Sequence, residues 1–333
     1  MLKEIACSAV IGLSLLIINP RVMSNNLESR TESVADRNAG MQEFYHLNRS
    51  RFIDMLVETV ASGESIKQMQ PRSKITPSDI GMDYDELSIE AGGIKINGWT
   101  IPGKDNSKII ILLHRYGSDM SDMLAYAAWL HENNYSVLMF DSRAHGKSSG
   151  DYTSFGKYEA MDLDAIINHL HQAGYLKVGV LGASMGGVAA LLSKKADAVV
   201  TDSPYAQLEP KFMQGAVDRF GIKLTEDDFN EINNQFIKKI GIDAAKFNII
   251  EEASRIKDKP TFVIYSKKDE FAPFGGYADE FSEKRKCQIA GQKCTVLWAL
   301  DSDAHNAYLN NLKNEEFAKE YRTKVIEFFK KYL

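Results

Sequence analysis

The segment from Val178 to Leu192 reads Val-Gly-Val-Leu-Gly-Ala-Ser-Met-Gly-Gly-Val-Ala-Ala-Leu-Leu. Its first four residues form an apolar run typical of a buried strand, and the residues from Gly187 onward favour a helix packed on a sheet. Between them, Gly182 to Gly186 has the pattern Gly-x-Ser-x-Gly. A serine in a sharp strand-to-helix turn requires small residues two positions away, because side chains there would collide with neighbouring backbone. A small-residue turn without chemistry also fits the pattern, but the flanking strand and helix favour Ser184 as a nucleophile.

The chain after residue 81 alternates strand patterns with helix patterns, as a mostly parallel sheet with covering helices requires. Predicted strands are Asp85 to Ala91 and Ile94 to Ile101 (an antiparallel pair), Ile109 to Leu113, Ser136 to Phe140, Val178 to Leu181, Ala198 to Thr201, Thr261 to Tyr265 and Cys294 to Leu300. Predicted helices are Asp119 to His131, Tyr158 to His171, Met185 to Lys194, Gly276 to Lys286 and Asn306 to Tyr332. The predicted fold class is α/β, with a mostly parallel central sheet and helices on both faces.

The alternation of strand and helix patterns stops between Asp202 and Pro260, where the sequence shows helical periodicity and no strand pattern. Aromatic and aliphatic residues recur there among charged ones, more than a bare connection needs. We expect residues 204–258 to form a helical cap insertion that covers Ser184 and an acyl group. The alternative is that these apolar residues only pack the cap onto the core.

A serine hydroxyl is a poor nucleophile until a base takes its proton, so a histidine is expected on a later loop. His305 is the only histidine after Ser184, and it follows the last predicted strand. The orienting acid is expected between serine and histidine at a strand end, where Asp269 follows the strand Thr261 to Tyr265. Asp202 also follows a strand, but an Asx-turn before Pro204 explains it more simply.

Acyl transfer also needs two N–H donors for the developing oxyanion. The backbone N–H of Met185, directly after the nucleophile, is the first expected donor. The second should come from the loop His114 to Gly117, with the amide of Tyr116 as first choice and that of Arg115 as second.

Taken together, these residues resemble the α/β-hydrolase superfamily from about Gly81 to the C-terminus. The resemblance rests on Gly98-Trp99, the His114 to Gly117 loop, the segment Asp141 to Ser148, the serine turn, and the order of Asp269 and His305. Within the superfamily the chain is most similar to bacterial esterase-like members with an N-terminal helix and a helical cap, and more loosely it resembles membrane-associated acyl-protein thioesterases. The resemblance implies that His114 and His145 brace loops.

The chain departs from the superfamily pattern at two positions. Members usually have glycine after the first loop histidine and before the second, where this chain has Arg115 and Ala144. If the first position needs a positive φ, arginine there costs on the order of 1 kcal/mol and alters the donor geometry.

The N-terminal region differs in kind from the rest of the chain. The apolar run Ile5 to Ile18 is shorter than the roughly 20 residues of a membrane-spanning helix and matches the apolar region of a secretory signal. Residues 1–24 are therefore expected to be a signal peptide or a membrane anchor, which predicts an exported or membrane-attached protein. Residues 25–80 are expected to form a polar linker and an amphipathic helix from Met41 to Val60 that packs on the catalytic domain, residues 81–333.

Composition limits the remaining function classes. The 333 residues carry 40 Lys and Arg against 45 Asp and Glu, so no basic surface for nucleic acid is indicated. The three cysteines show no zinc spacing, and we expect neither metal nor cofactor. Cys287 and Cys294 are hypothesised to form a disulfide if the protein is exported.

The predicted function is hydrolysis of a small-molecule ester with a short or medium acyl chain, through Ser184, His305 and Asp269. Alternatives with the same serine are a thioesterase, an acyltransferase or a serine peptidase. A non-catalytic binding protein on the same fold is the alternative from a different class.

Overall fold

A computed structural model describes residues 34–69, 75–209, 213–256, 259–285, 287–289 and 292–333. These residues divide into two units. The first joins the N-terminal helices with the segment Leu208–Phe247, and the second contains Pro71–Gln207 and Asn248–Leu333. The segment of the first unit thus starts and ends inside the predicted insertion, residues 204–258.

The α-helices are α1 (Val34–Leu47), α2 (Arg49–Ala61), α3 (Gly63–Met69), α4 (Leu124–Glu132), α5 (Lys157–Gln172), α6 (Met185–Leu192), α7 (Met213–Val217), α8 (Glu226–Ile240), α9 (Ile249–Ser254), α10 (Ala278–Arg285), α11 (Ala307–Asn310) and α12 (Glu315–Tyr332). Short 3-10 turns are present at Pro77–Ile80, Met120–Met123, Asp218–Phe220, Ala244–Lys246 and Gly275–Tyr277.

The strands are β1 (Asp85–Ala91), β2 (Ile94–Ile101), β3 (Asp105–Leu113), β4 (Tyr135–Phe140), β5 (Lys177–Ala183), β6 (Ala198–Asp202), β7 (Thr261–Ser266), β8 (Gln288–Ile289), β9 (Gln292–Lys293) and β10 (Thr295–Leu300). Eight of them form one sheet in the order β1-β2-β4-β3-β5-β6-β7-β10. The pairs β1 with β2 and β2 with β4 are antiparallel. The other pairs of this sheet, β4 with β3, β3 with β5, β5 with β6, β6 with β7 and β7 with β10, are parallel. The predicted mostly parallel sheet is confirmed.

Burial of the strands explains why apolar runs in the sequence predict them. Every residue of β4, β6 and β7 is buried, as expected for strands covered by helices on both faces. The edge strand β1 is largely exposed at its start. Parallel strands present their carboxyl ends at one edge of the sheet, so the loops after β3, β5, β6, β7 and β10 gather there.

Two predicted helices are interrupted, in each case beside asparagine. The predicted helix Met41 to Val60 is divided at Asn48, which lies between α1 and α2 with φ −138°. The predicted helix Asn306 to Tyr332 is divided into α11 and α12, because Asn314 accepts the backbone N–H of Phe317 and starts a new helix. Residues 34–40, predicted as linker, belong to α1.

In the first unit, α1 and α2 contact the segment Leu208–Phe247 through a buried carboxylate. Asp228 accepts a hydrogen bond from the Tyr45 hydroxyl at 2.7 Å and pairs with Arg49. It also caps α8 by accepting the Thr225 N–H at 2.7 Å. Burial raises the pKa of Asp228, but the bonds from Arg49, Thr225 and Tyr45 outweigh burial and hold that pKa below its ordinary value. The amphipathic helix therefore packs on the insertion part of the predicted catalytic domain.

Cys287 and Cys294 are joined in a disulfide, as hypothesised, with their Cα atoms 5.3 Å apart. The short hairpin of β8 and β9 lies between them. The N-terminal segment, residues 1–24, lies outside the described residues. Within the described ranges, no helix is both long enough and apolar enough to cross a membrane.

Candidate active site

Ser184 occupies a strained turn between β5 and α6. Its φ is +51° and its ψ is −114°, a conformation that non-glycine residues rarely adopt. A Cβ atom on Gly182 would lie 2.2 Å from the Gly186 carbonyl oxygen, and one on Gly186 would lie 2.4 Å from the Leu113 carbonyl oxygen. Both glycines are therefore required by close backbone contacts, as the sequence pattern predicted.

The structure brings the three predicted residues Ser184, His305 and Asp269 together. Nε2 of His305 lies 2.9 Å from Oγ of Ser184, and Nδ1 of His305 lies 2.7 Å from Oδ2 of Asp269. Ser184 follows β5, Asp269 follows β7 and His305 follows β10, so all three lie at the carboxyl edge of the sheet. All three residues are at least half-buried.

The two carboxylate oxygens of Asp269 have different partners. Oδ1 accepts the backbone N–H groups of Phe271 at 3.0 Å and Ala272 at 2.9 Å, which leaves Oδ2 directed at His305. Burial raises the pKa of Asp269, but the bonds from His305, Ala272 and Phe271 outweigh it and keep that pKa below its usual value. Asp269 is therefore ionised at neutral pH and accepts the proton on Nδ1 of His305 in a hydrogen bond. In that tautomer Nε2 of His305 carries a lone pair facing the Ser184 hydroxyl.

An aromatic side chain that sequence reasoning did not single out packs on the histidine. The Phe271 ring lies 4.9 Å from the His305 ring, centroid to centroid, and 79% of the residue is exposed. A phenylalanine two residues after the predicted acid was the only available signal for this contact. It gives the site an apolar surface beside His305.

The loop after β3 is held by the two buried histidines His114 and His145. His114 accepts the Ser142 N–H on Nε2 at 2.9 Å, so its proton lies on Nδ1, which donates to the Arg115 carbonyl at 2.7 Å. His145 accepts the Gly117 N–H on Nε2 at 3.2 Å. Both histidines therefore brace this loop, as the superfamily resemblance implied.

These bonds limit which amides of the loop can serve as oxyanion donors. The Gly117 N–H is bonded to His145, and the Ser118 N–H donates to the Arg115 carbonyl at 3.3 Å. Because a trans peptide is planar, the N–H of Tyr116 is directed opposite to the Arg115 carbonyl and away from His114. The bond between His114 and the Arg115 carbonyl thus fixes the direction of the Tyr116 N–H, which the sequence predicts as the first choice for the second oxyanion donor. Met185 begins α6, where backbone N–H groups have no carbonyl partner within the helix.

Arg115 does not adopt a positive φ, so the condition under which arginine would cost free energy at this position is not met. Its side chain pairs with Asp122 at 2.7 Å. Ala144, the second departure from the superfamily pattern, does adopt a positive φ, of +63°, and is fully buried. The strain of the missing glycine therefore lies at Ala144 and not in the loop that carries the candidate donors.

Other acids near the site have separate partners. Asp202 binds backbone N–H groups of residues 307 and 308 and does not contact the His305 ring through any described hydrogen bond. Asp301, close to His305 in sequence, pairs with Lys268 at 3.0 Å.

The close contact at Gly186 predicts a large stability loss on adding one methyl group. Gly186→Ala should lower the free energy of unfolding by about 1–3 kcal/mol or more, because its Cβ meets a backbone oxygen that cannot move freely. Urea unfolding measures the loss. Gly276→Ala, whose Cβ would have no atom within 4 Å, is the control and should unfold like wild type. Equal stability of all three proteins would contradict the geometry of the turn.

Known proteins resemble this chain in sequence and in fold. A family model described as serine aminopeptidase, S33, matches residues 104–226, which include Ser184 but neither Asp269 nor His305. The uncharacterized protein YqkD of Bacillus subtilis is 28% identical over 231 residues, covering 67% of this chain and 71% of its own.

The structure of the Pyrococcus furiosus esterase Pf2001 matches over 79% of this chain and 96% of its own, at 30% identity and a TM-score of 0.59. A second crystal form of that esterase gives a TM-score of 0.62. An esterase from Exiguobacterium antarcticum shares the fold, at 19% identity and a TM-score of 0.51. From the sheet, the serine turn and these matches, the chain belongs to the α/β-hydrolase superfamily.

Proposed function

We propose that the protein is a serine hydrolase that cleaves carboxylic esters of short or medium acyl chains through an acyl-enzyme on Ser184. The observation that carries this proposal is the continuous line of hydrogen bonds from Asp269 through His305 to Ser184, with distances of 2.7 and 2.9 Å. The 2.9 Å distance lies within the range in which a base can take a proton from a nucleophile, and the 2.7 Å distance lets Asp269 orient that base.

In the first half of the reaction, Oγ of Ser184 attacks the ester carbonyl carbon while Nε2 of His305 takes the hydroxyl proton. The imidazolium that forms is stabilised by the ionised Asp269. His305 then gives the proton to the leaving alcohol as the carbon–oxygen bond breaks. In the second half, His305 removes a proton from water as the water oxygen attacks the acyl carbon. The bond between that carbon and Oγ of Ser184 then breaks, the carboxylic acid leaves, and His305 returns the proton to Ser184.

The developing negative charge requires N–H donors, and we assign this role to the amides of Met185 and Tyr116. Support comes from the position of Met185 at the start of α6 and from the orientation that His114 imposes on the peptide between Arg115 and Tyr116. The amide of Arg115 remains the second choice. A donor in such a site typically contributes about 3–4 kcal/mol of transition-state stabilisation.

A serine aminopeptidase is the second candidate, favoured by the description of the family model that matches residues 104–226. Both activities use the same acyl-enzyme chemistry and differ in the leaving group, which is an alcohol for an ester and an amine for a peptide. A thioesterase or acyltransferase would differ in the leaving group or in the acceptor of the acyl group. The esterase is preferred because the Pyrococcus furiosus esterase matches 79% of this chain at 30% identity, whereas the aminopeptidase family model matches only residues 104–226.

We further propose that the enzyme acts outside the cytoplasm or attached to a membrane by its N-terminus. The apolar run from Ile5 to Ile18 supports export. The disulfide between Cys287 and Cys294 supports it independently, since such bonds persist mainly in oxidising compartments.

The proposed roles predict a specific pattern of kinetic losses. Ser184→Ala and His305→Ala should each remove nearly all ester turnover, and the double variant should be no worse than either, because nucleophile and base act as a unit. Steady-state kcat values of the three variants test this. Exposed Lys268→Ala, which removes only the pair with Asp301, is the control and should keep wild-type kcat. Retention of more than about a tenth of kcat in Ser184→Ala would exclude this mechanism.

The apolar side chains at the site predict selection by acyl length. Phe271 lies against His305, and Tyr116 stacks on buried Phe155 with ring centroids 5.8 Å apart. Each buried CH₂ of a substrate contributes about 0.8 kcal/mol until the apolar surface is filled. The kcat/KM on p-nitrophenyl esters should therefore rise from acetate to a maximum at a short or medium chain and then fall. A flat profile, or turnover restricted to aminoacyl anilides, would favour the aminopeptidase.

A further inference from the structure

Asp202 is a buried carboxylate that the proposed reaction does not use. It ends β6, has no exposed surface, and accepts hydrogen bonds on both oxygens. Its five donors are the hydroxyls of Ser203, Tyr126 and Tyr321 and the backbone N–H groups of Ala307 and Tyr308, at 2.8 to 3.3 Å. Donors from four separate parts of the second unit thus converge on one side chain.

Two of these donors belong to the backbone that directly follows His305. The N–H of Ala307 lies 2.8 Å from Oδ1 of Asp202, and the N–H of Tyr308 lies 3.0 Å from Oδ2. The intervening Asn306 N–H donates to the Ser203 hydroxyl at 2.9 Å. Three consecutive amides after His305 are therefore bound by residues 202 and 203.

Residues 202 and 203 also bind the chain segments that carry the other two proposed catalytic residues, Ser184 and Asp269. The backbone carbonyl of Asp202 accepts the N–H of Ser184 at 2.8 Å. The backbone N–H of Ser203 donates at 2.8 Å to the carbonyl of Ile264 in β7, the strand that leads to Asp269. Residues 202 and 203 consequently contact the chain segments of all three proposed catalytic residues.

We propose that Asp202 is a positioning residue of the hydrolase: its carboxylate, together with the Ser203 hydroxyl bonded to it, forms a clamp that holds the loop of His305 in register with Ser184. This inference rests on the proposed function. Asp202 acts through the backbone after His305 and does not touch the reacting atoms. Catalytic groups must be held within about 0.5 Å of their productive geometry, and a displacement near 1 Å can cost about a hundredfold in rate.

Backbone strain indicates why such a clamp is needed. Ser203 and Asn306 both have φ +56°, a left-handed conformation for residues other than glycine. Each is joined to the clamp by its own bond, Ser203 through its hydroxyl to Asp202 and Asn306 through its amide to Ser203. Without these bonds the loop after His305 would relax toward ordinary backbone angles and carry the imidazole with it.

The donors that surround Asp202 require a carboxylate at this position and exclude a side-chain amide. Backbone N–H groups donate to both oxygens of Asp202, one to Oδ1 and one to Oδ2. Asparagine has one oxygen and one NH₂ group, so either orientation places NH₂ against a backbone N–H. The hydroxyls of Tyr126 and Tyr321 can rotate and accept, whereas the backbone amides cannot.

The test compares Asp202→Asn with Tyr321→Phe. Tyr321→Phe removes a hydrogen bond of 3.1 Å from the same carboxylate but leaves the amides after His305 bound. We expect kcat of Asp202→Asn to fall between about tenfold and a hundredfold with KM changed less than about threefold. Tyr321→Phe should keep kcat within roughly twofold even if it lowers the unfolding midpoint. Equal kcat values for the two variants would overturn the proposal, because Asp202 would then contribute only to stability.

Ser203→Ala keeps the experiment decisive if Asp202→Asn does not fold. It removes the hydroxyl that joins Asp202 to the Asn306 amide while leaving the carboxylate in place. A fall in kcat without a matching rise in KM supports the clamp, and wild-type kcat in Ser203→Ala contradicts it.

A readout independent of turnover separates this inference from the proposed function. The proton on Nδ1 of His305, bonded to Asp269, should give a downfield ¹H NMR resonance that His305→Ala removes. We expect Tyr321→Phe to retain this resonance and Asp202→Asn to lose or broaden it. If wild type shows no Ser184-dependent turnover, the proposed function fails, while the resonance still decides whether Asp202 positions His305. A sharp, unshifted resonance in Asp202→Asn would contradict the positioning role.

Discussion

The close approach of three backbone segments at Ser184 is the constraint from which the rest of the site follows. Gly182 and Gly186 contact one another and the end of β3 at distances that no side chain could occupy. Within that contact Ser184 takes a φ of +51°, which costs of the order of 1–3 kcal/mol. The surrounding packing offsets this cost, because every residue of α6 is buried. The strained turn holds the hydroxyl at a fixed place on the sheet edge.

Strain of the same kind recurs around the site. Ser184, Ser203 and Asn306 have φ values between +51° and +56°, and hydrogen bonds link them through Asp202. The proposed nucleophile and base lie 121 positions apart in sequence, so their 2.9 Å contact depends on such links between loops. Residues held in unfavourable conformations by a rigid surrounding are typical of functional sites.

The sequence predicted the parts of this arrangement that depend on local pattern. The apolar runs located the core strands within one to four residues, since strands buried on both faces consist mainly of apolar side chains. The order of Ser184, Asp269 and His305 along the strand ends also sufficed to select the three residues that the structure brings together. Parallel sheets make that selection possible, because they place successive strand ends at one edge.

Other features depend on contacts between distant residues and had no local signal. The five donors of Asp202 come from four parts of the second unit, so a turn was the simpler interpretation of its sequence. The partner of α1 and α2 is Asp228, which lies far along the chain and binds Tyr45 and Arg49 on either side of the break at Asn48. The strain expected at Arg115 lies at Ala144, because the backbone angle is set by loop geometry and not by the residue type that usually occupies it.

The central claim is that His305 and Asp269 make Ser184 a nucleophile, and labelling with a fluorophosphonate tests it most directly. Such a probe forms a stable bond rapidly with an activated serine hydroxyl and far more slowly with an unactivated one. Intact-mass spectrometry should show a single label on wild type, peptide mapping should locate it at Ser184, and His305→Ala should be labelled far more slowly. An unlabelled folded wild-type protein, or a label on another residue, would contradict the account.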